Sequence, residues 1–507
     1  MKKNKLNLTA PLALVAIVAV VIAGAVAFHF LSQPPQPTPN ESTVKVNWDF
    51  LQNAVPSSSD KPSAVEVTVY QSSSSQSYGG YANQWLNFDY YTGMGLVKEV
   101  RSADVSGGAA LLSLKNTAGY IDATSVTFKD LTNPSTQLLE QNYDYDLVSD
   151  AKLLEKYVDK TISVKTDNET ITGTLLSSTG GTLVLQTPSG IVSLTNYKQI
   201  NYPSLPEGLI TTPTLTWLLA NTTAGRHDFE VTYLTSGIDW SANYVATANA
   251  DDTQMELRGW VSVTNDAGTT FENAQLKLVA GDIHLVSGQA VPSPRMYDTM
   301  AVGAAESKSF TQEQLFEYHL YTLDRPTTLK NGQVKQINFF NAAGVPVEKQ
   351  FVFEPDQSSK VQVKLNFDNR KEKGLGLPLP KGKVRVYKPD STGQLQFLGE
   401  DQIDHTAENE SVKLFIGNAF DVVAERTQTN YVQRGSCAAE TSYTTQIRNH
   451  KTTPVSVVVV ENTWGDTTIL RESMAHKKES AYKYSWTVPV APGGTMDLTY
   501  SIEQRWC

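Results

Sequence analysis

The chain holds 507 residues, too many for a single hydrophobic core, so three or four domains are expected. Only 19% of the residues are charged, while Thr, Ser, Val, Gly and Tyr are plentiful, a balance that suits twisted sheets and disfavours helical bundles. The net charge of −10, without any basic patch interleaved with aromatics, argues against nucleic acid and against binding along an anionic membrane surface.

Residues 12–31 carry no formal charge and follow Lys2, Lys3 and Lys5. At ~1.5 Å per residue the run reaches roughly 30 Å, enough to cross a bilayer core. The lysines assign the cytoplasmic side, which places the body outside the cytoplasm, at the cell surface or in the periplasm. Ala25-Val26-Ala27 fits a signal-peptide cleavage site, whereas continuation of the apolar run through Phe28, Phe30 and Leu31 favours a retained anchor. Residues 1–31 are therefore an anchor or signal peptide. Residues 32–62 are a Pro/Ser-rich spacer, opening with the polyproline-type stretch 33–39.

Beyond the spacer the expected fold class is all-β: serial β-sandwich domains with a small SH3-like barrel inserted and one N-terminal transmembrane helix. An N-terminal β-domain covers 63–150. Its first strand is Ala-Val-Glu-Val-Thr-Val-Tyr over 64–70, with others over 96–100, 110–114 and 125–128. A Ser/Gly/Tyr-rich loop over 71–91 interrupts it. Tyr78, Tyr81, Trp85, Tyr90 and Tyr91 in that loop are candidates for gripping carbohydrate or a protein partner; the plainer reading folds them back onto the domain. A helical turn over 152–158 opens the barrel, 151–206, with strands over 161–165, 171–176, 183–186 and 191–194 and tight turns between them.

A β-sandwich follows over 207–286, with strands over 215–219, 228–233, 244–248, 255–264 and 274–279. Residues 287–313, rich in Ala, Ser, Gly and Pro, form a linker or mobile loop. A C-terminal β-sandwich region covers 314–507 and includes the buried-type strand 455–460. Trp217, Trp240, Trp260, Trp464 and Trp486 fall on strand-like stretches and are expected in the cores. Cys437 opens one strand and Cys507 closes another. If the two pair antiparallel the cysteines meet, and a loop near 70 residues contributes about 4 kcal/mol by chain entropy. Two free thiols or an intermolecular bond through Cys507 are the alternatives.

Several segments together resemble one family. They are Leu234-Thr-Ser-Gly-Ile-Asp-Trp240, Trp260-Val-Ser-Val-Thr-Asn265 and Asn273-Ala-Gln-Leu-Lys-Leu-Val-Ala-Gly-Asp282, with Leu139-Glu-Gln-Asn-Tyr143 and Leu205-Pro-Glu-Gly-Leu209 before them. Later come Glu317-Tyr-His-Leu-Tyr321, Gly374-Leu-Gly-Leu-Pro-Leu-Pro380, Gly399-Glu-Asp-Gln-Ile-Asp-His405 and Gly417-Asn-Ala-Phe-Asp421. The pattern is similar to the domain of unknown function 4139, whose relatives include mucoidy-inhibitor-like proteins, and it runs from about residue 65 to the C-terminus. The resemblance implies an exported, β-rich protein without an agreed activity, so it carries over no catalytic residues. The 71–91 loop is longer than the family pattern.

No Gly-x-Ser-x-Gly, His-Glu-x-x-His, P-loop or dinucleotide fingerprint is present, and no cofactor is expected. Metal ligation is the one chemical alternative. Asp282/His284 and Glu317/His319 are i,i+2 pairs that project to one face of a strand, and Asp401, Asp404 and His405 form a third group. Each is also an ordinary turn or strand-face residue. Asp251-Asp252 suits calcium, but the EF-hand pattern is absent. Sequons at Asn40, Asn168, Asn221 and Asn409 matter only where exported asparagines are glycosylated.

The expected function is thus a non-enzymatic, membrane-anchored envelope protein with a binding, structural or surface-assembly role. Its partners are the membrane through the N-terminal helix, an envelope protein or polysaccharide, or further copies joined through sheet edges. The alternative is a metal- or carboxylate-dependent hydrolase of envelope polymer built from the three acidic-histidine groups. A sensor or chaperone role for other envelope proteins is a third reading.

Overall fold

The computed structural model describes residues 54–71, 93–281, 283 and 310–507. The charge-free run 12–31 and the loop aromatics Tyr78, Tyr81, Trp85, Tyr90 and Tyr91 lie outside these residues. No helix among the described residues is long and apolar enough to cross a membrane. Apart from the helix Asp150–Lys156 and two short 3-10 turns, the described elements are strands, so the fold is all-β.

The alternation in Ala64–Tyr70 does what period two dictates: Val65, Val67 and Val69 point inward and are buried. This strand pairs parallel with Phe271–Ala280 and antiparallel with Met94–Val105. The latter pairs along its whole length with Gly225–Ser236. Ala64–Tyr70 and Met94–Val105 therefore stand inside an eight-stranded sheet, between strands that follow them by more than a hundred residues. A four-stranded sheet of Val55–Ser59, Gly108–Lys115, Thr214–Thr222 and Gln137–Asp144 packs on it. Phe128 joins the two, with ring centroids 5.0 Å from Trp217 and 5.4 Å from Phe229.

The segments expected as separate domains over 63–150 and 207–286 thus share sheets and core. Local alternation identifies strands but not their partners, and here the partners are distant in sequence. Val55–Ser59, inside the expected spacer, is a strand for a similar reason. It occupies a sheet edge, where Pro56 is tolerated.

A five-stranded sheet of Gln333–Pro346, Gln254–Asn265, Ile238–Ala248, Gly382–Pro389 and Leu395–Ile403 completes this body. One core, from Val65 to Leu414, runs through all three sheets and takes in Leu365, Phe367, Val412 and Leu414 from two strands of a further sheet. Trp240 donates from Nε1 to the Val279 carbonyl at 3.1 Å, and Tyr244 from its hydroxyl to the Pro380 carbonyl at 2.7 Å.

Residues 161–201 form a separate five-stranded sheet around Ile162, Val164, Leu175, Leu183 and Leu185. The helix before it is capped by Ser149, whose hydroxyl accepts from the Lys152 N–H at 3.3 Å. It ends two residues earlier than the 152–158 pattern suggests, because Tyr157 turns into this small core.

The last body begins at Glu348, not at 314: Tyr318–Leu323, Thr327–Leu329 and Gln333–Pro346 belong to the first. Its six-stranded sheet is Ser411–Asn418, Gln362–Asp368, Glu348–Phe353, Val455–Asn462, Lys483–Val490 and Lys477–Ser480. The four-stranded sheet is Val422–Gln433, Ala438–Asn449, Thr495–Arg505 and Asp466–Glu472. The two enclose a second core in which Trp486 stacks on Tyr500 at 4.4 Å. Trp217, Trp240 and Trp486 are core residues. Trp260 is half-buried and Trp464 is exposed in a turn, because the strand ends at Asn462 and releases its successors from the sheet.

Candidate functional site

Two edge strands, Leu395–Ile403 of the first body and Ser411–Asn418 of the last, lie against each other. Gly399 permits the approach, since a Cβ there would collide with the Ile416 carbonyl. Asp401 clips the pair: its carboxylate accepts the N–H of Gln402 at 2.8 Å and of Phe415 at 2.7 Å. Beside this seam opens a groove of about 300 Å³ whose lining includes Phe351, Leu365, Val386 and Ile416, with Leu398, Asn418 and Phe420 exposed at its rim. Phe420 is 93% exposed. The segment Gly417-Asn-Ala-Phe-Asp421 lines it, one of those on which the family resemblance rests.

Charge at the groove is used for fastening. Asp252, at left-handed φ 57°, receives Lys349 at 2.7 Å from the last body and Lys388 at 2.5 Å from the first. Burial pushes its carboxyl up, but the two ammonium groups outweigh this and hold it below the ordinary carboxylate range. Glu354, almost fully buried, is held between Lys364 at 3.1 Å and Lys483 at 2.8 Å and is likewise shifted down against the upward push of burial. Of these pairs Lys349–Asp252 links the two bodies, whereas both partners of Glu354 belong to the last body. Such a site has the character of a docking groove.

The metal candidates are placed as follows. Asp282 and His284 lie outside the described residues. Glu317 is exposed in the turn between Phe310–Leu315 and Tyr318–Leu323, and His319 Nδ1 lies 3.0 Å from Gln312 Nε2. Asp401 serves as the clip above. The Asp404 carbonyl accepts the Thr406 hydroxyl at 2.8 Å, and His405 Nδ1 accepts the Lys381 N–H at 3.2 Å. Among the described residues no three His, Cys, Asp or Glu side chains are grouped as a metal would require. Asp252 of the calcium-like turn is taken by its two lysines. Cys437 and Cys507 are joined by a disulfide, with Cα atoms 5.5 Å apart, because their strands pair with Ala438 opposite Arg505.

Sequence reasoning passed over two arrangements. One is the groove itself, for which Gly417–Asp421 was the only available signal. The other joins Asp130, His227 and Thr223. Asp130 Oδ2 lies 2.7 Å from His227 Nδ1, and His227 Nε2 lies 3.0 Å from the Thr223 hydroxyl. Asp130 also accepts the N–H groups of Thr132 and Asn133 and the Thr136 hydroxyl. Burial raises its carboxyl less than these bonds lower it, so it stays below the usual range. His227 is buried and Thr223 is exposed in the turn before it. Nothing in local sequence brings residue 130 to residue 227; strand pairing of Phe229 with Asp130 does.

A family model described as Domain of unknown function (DUF4139) matches residues 229–507. Its first residue falls inside the strand Gly225–Ser236, so the matched region shares a sheet with strands that precede it. No curated protein matches the chain.

Proposed function

The chain belongs to the DUF4139 family, and from that premise we propose that it is an exported, membrane-anchored envelope protein that binds a protein partner without turning it over. The observation that carries the reading is the groove at the seam of the two bodies. Its neighbouring carboxylates Asp252 and Glu354 are each committed to two lysines, while Phe420 stands free at the mouth. An exposed aromatic over an apolar floor, rimmed by charge, is the anatomy of an interaction hot spot. The charge-free run 12–31 behind three lysines supports the anchor, and the Cys437–Cys507 disulfide agrees with an oxidising compartment.

The test pairs topology with contact. External protease on intact cells or spheroplasts is expected to digest the body. A photo-cross-linking residue at position 420 is expected to trap one discrete envelope protein, and Leu398→Asp in the groove's lining is expected to abolish the adduct. A body protected from protease, or cross-linking indifferent to Leu398, contradicts the proposal. A stoichiometric transition metal on the purified chain, lost when His284, His319 and His405 are replaced, would put the hydrolase in its place.

The Asp130–His227–Thr223 array favours one second reading, acyl hydrolysis, because it has the order of orienting carboxylate, base and hydroxyl. Covalent labelling of Thr223 by a fluorophosphonate, lost in His227→Gln, would establish it. Without labelling, the array is a lock on the turn.

A further inference from the structure

The groove lies at one end of the last body, where Val422 pairs with Asn449. At the other end, where Gln433 pairs with Ala439, four chain segments meet: the 434–437 turn, the 463–465 turn, the 481–482 turn and residues 505–507. The twelve-residue strand Val422–Gln433 separates the two ends by ~35 Å at ~3.3 Å per residue.

Three aromatic side chains stand out from this far end: Trp464 (56% exposed), Tyr482 (57%) and Trp506 (39%). The indoles of Trp464 and Trp506 lie 5.4 Å apart, tilted by 40°. Their backbones are pinned. Thr463 donates its N–H to the Tyr482 carbonyl at 2.7 Å, and Trp506 donates to the Cys437 carbonyl at 3.0 Å. Gly465, at φ 67°, lets the turn press against the Arg505 carbonyl, which a Cβ would strike. The disulfide ties Cys437 to Cys507, next to Trp506. Polar groups flank the rings: Asp466 is exposed beside Trp464, and Arg505 is held by Glu503 at 3.2 Å.

We propose that this end of the last body is a carbohydrate-binding platform, in which Trp464, Trp506 and Tyr482 stack on sugar rings while Asp466, Glu503 and Arg505 take hydroxyl groups. Size decides between occupants. With ~150–250 Å² per aromatic residue, these exposures leave roughly 230–380 Å² of accessible surface. A stable protein interface needs about 800 Å² per partner, so the patch suits a few sugar residues better. The carboxylates of Asp466 and Glu503 oppose an anionic lipid surface. A pinned backbone lowers the freedom these side chains lose on binding, which suits weakly held ligands. The platform deepens the binding reading by adding a polysaccharide contact remote from the groove, and it stands apart from the Phe420 site.

The test is titration calorimetry of the full chain in detergent with chitohexaose, cellohexaose and laminarihexaose, and sedimentation with phosphatidylglycerol–phosphatidylcholine vesicles. Saturable binding of at least one hexasaccharide is expected. Trp464→Ala should weaken it about tenfold, as loss of a buried aromatic anchor does, Trp464→Phe should largely restore it, and Phe420→Asp should leave it unchanged. If Trp464→Ala does not fold, Tyr482→Ala in a separate turn gives the same reading. Failure of all three saccharides to bind, or binding that survives removal of both rings, overturns the platform. Vesicle binding lost in the Trp464→Ala/Trp506→Ala pair also overturns it, in favour of a membrane contact. Loss of the position 420 cross-link with sugar binding intact would fault the groove alone.

Discussion

Each of the two large cores encloses an arginine, a glutamate and a tyrosine, yet the two clusters are not equally closed. In the first body Arg101 Nε meets Glu99 at 2.7 Å, and Tyr233 donates to the same carboxylate at 2.9 Å. The rest of the guanidinium reaches the Lys115 carbonyl at 2.5 Å and those of Ser59 and Asn116 at 3.4 Å. Both charged side chains are essentially inaccessible. In the last body Arg426 meets Glu461 at 2.5 Å and Asp356 at 2.8 Å, and Tyr500 donates to Glu461 at 2.6 Å. Arg426 lies over the Tyr443 ring at 4.7 Å and remains partly open to water. The first arginine ties two sheets through backbone carbonyls, whereas the second sits at a rim. Similar chemistry therefore carries different weight.

Removing the arginines should separate them most clearly. Arg101→Met leaves Glu99 buried without its cation and should cost about 3–5 kcal/mol. Arg426→Met should cost about 1–2 kcal/mol, since water reaches the site. Chemical denaturation of both variants checks this, and equal losses would break the comparison.

A second pair should behave alike. Asn265 and Asn449 are both buried at strand ends. Each accepts the N–H two residues on, at 3.1 and 3.0 Å, and each donates to the carbonyl four residues on, at 2.9 Å. Each also reaches across, to the Leu329 carbonyl at 2.9 Å and the Val490 carbonyl at 3.3 Å. Asn265→Ala and Asn449→Ala should each cost about 2 kcal/mol by orphaning buried carbonyls. A large difference in their unfolding midpoints would show that the two turns are not equivalent.

The smallest effect is a pH dependence. Burial pushes the Glu461 carboxyl up, against the opposing pull of Tyr500 and Arg426. A carboxyl raised by folding contributes stability below its unfolded value, and that contribution is lost as pH rises through the folded value. Asp252 and Glu354, shifted down, act oppositely and lose their contribution only on acidification below their ordinary values. Between pH 8 and pH 5 the wild type should therefore gain stability relative to Glu461→Gln. A Tm difference flat across that range would refute the assignment.

Much of this was legible in the chain. Period-two alternation marked Ala64–Tyr70, the buried-type run 455–460 marked the strand Val455–Asn462, and the family resemblance extends through the 229–507 match. The strand over 255–264 and the one opened by Cys437 were both legible as strands; the burial of Asn265 and Asn449 at their ends was not. In Met94–Val105 the inward face is Val97, Glu99, Arg101, Ala103 and Val105. No local rule turns a glutamate and an arginine inward, because their partners come from elsewhere: the Tyr233 hydroxyl donates to Glu99, and Arg101 donates to the carbonyls of Ser59, Lys115 and Asn116.

Side-chain alternation and turn chemistry act over a few residues, so the all-β class and most strand segments were readable from the chain, while the Cys437–Cys507 bond waited on the pairing of its two strands. Tertiary structure decided the rest. Pairing between distant strands merged segments that read as separate domains, created the groove at the seam of two edges and brought Trp464 beside Trp506. Those contacts depend on which sheets meet, a choice made by burial over the whole chain and not by any one stretch of it.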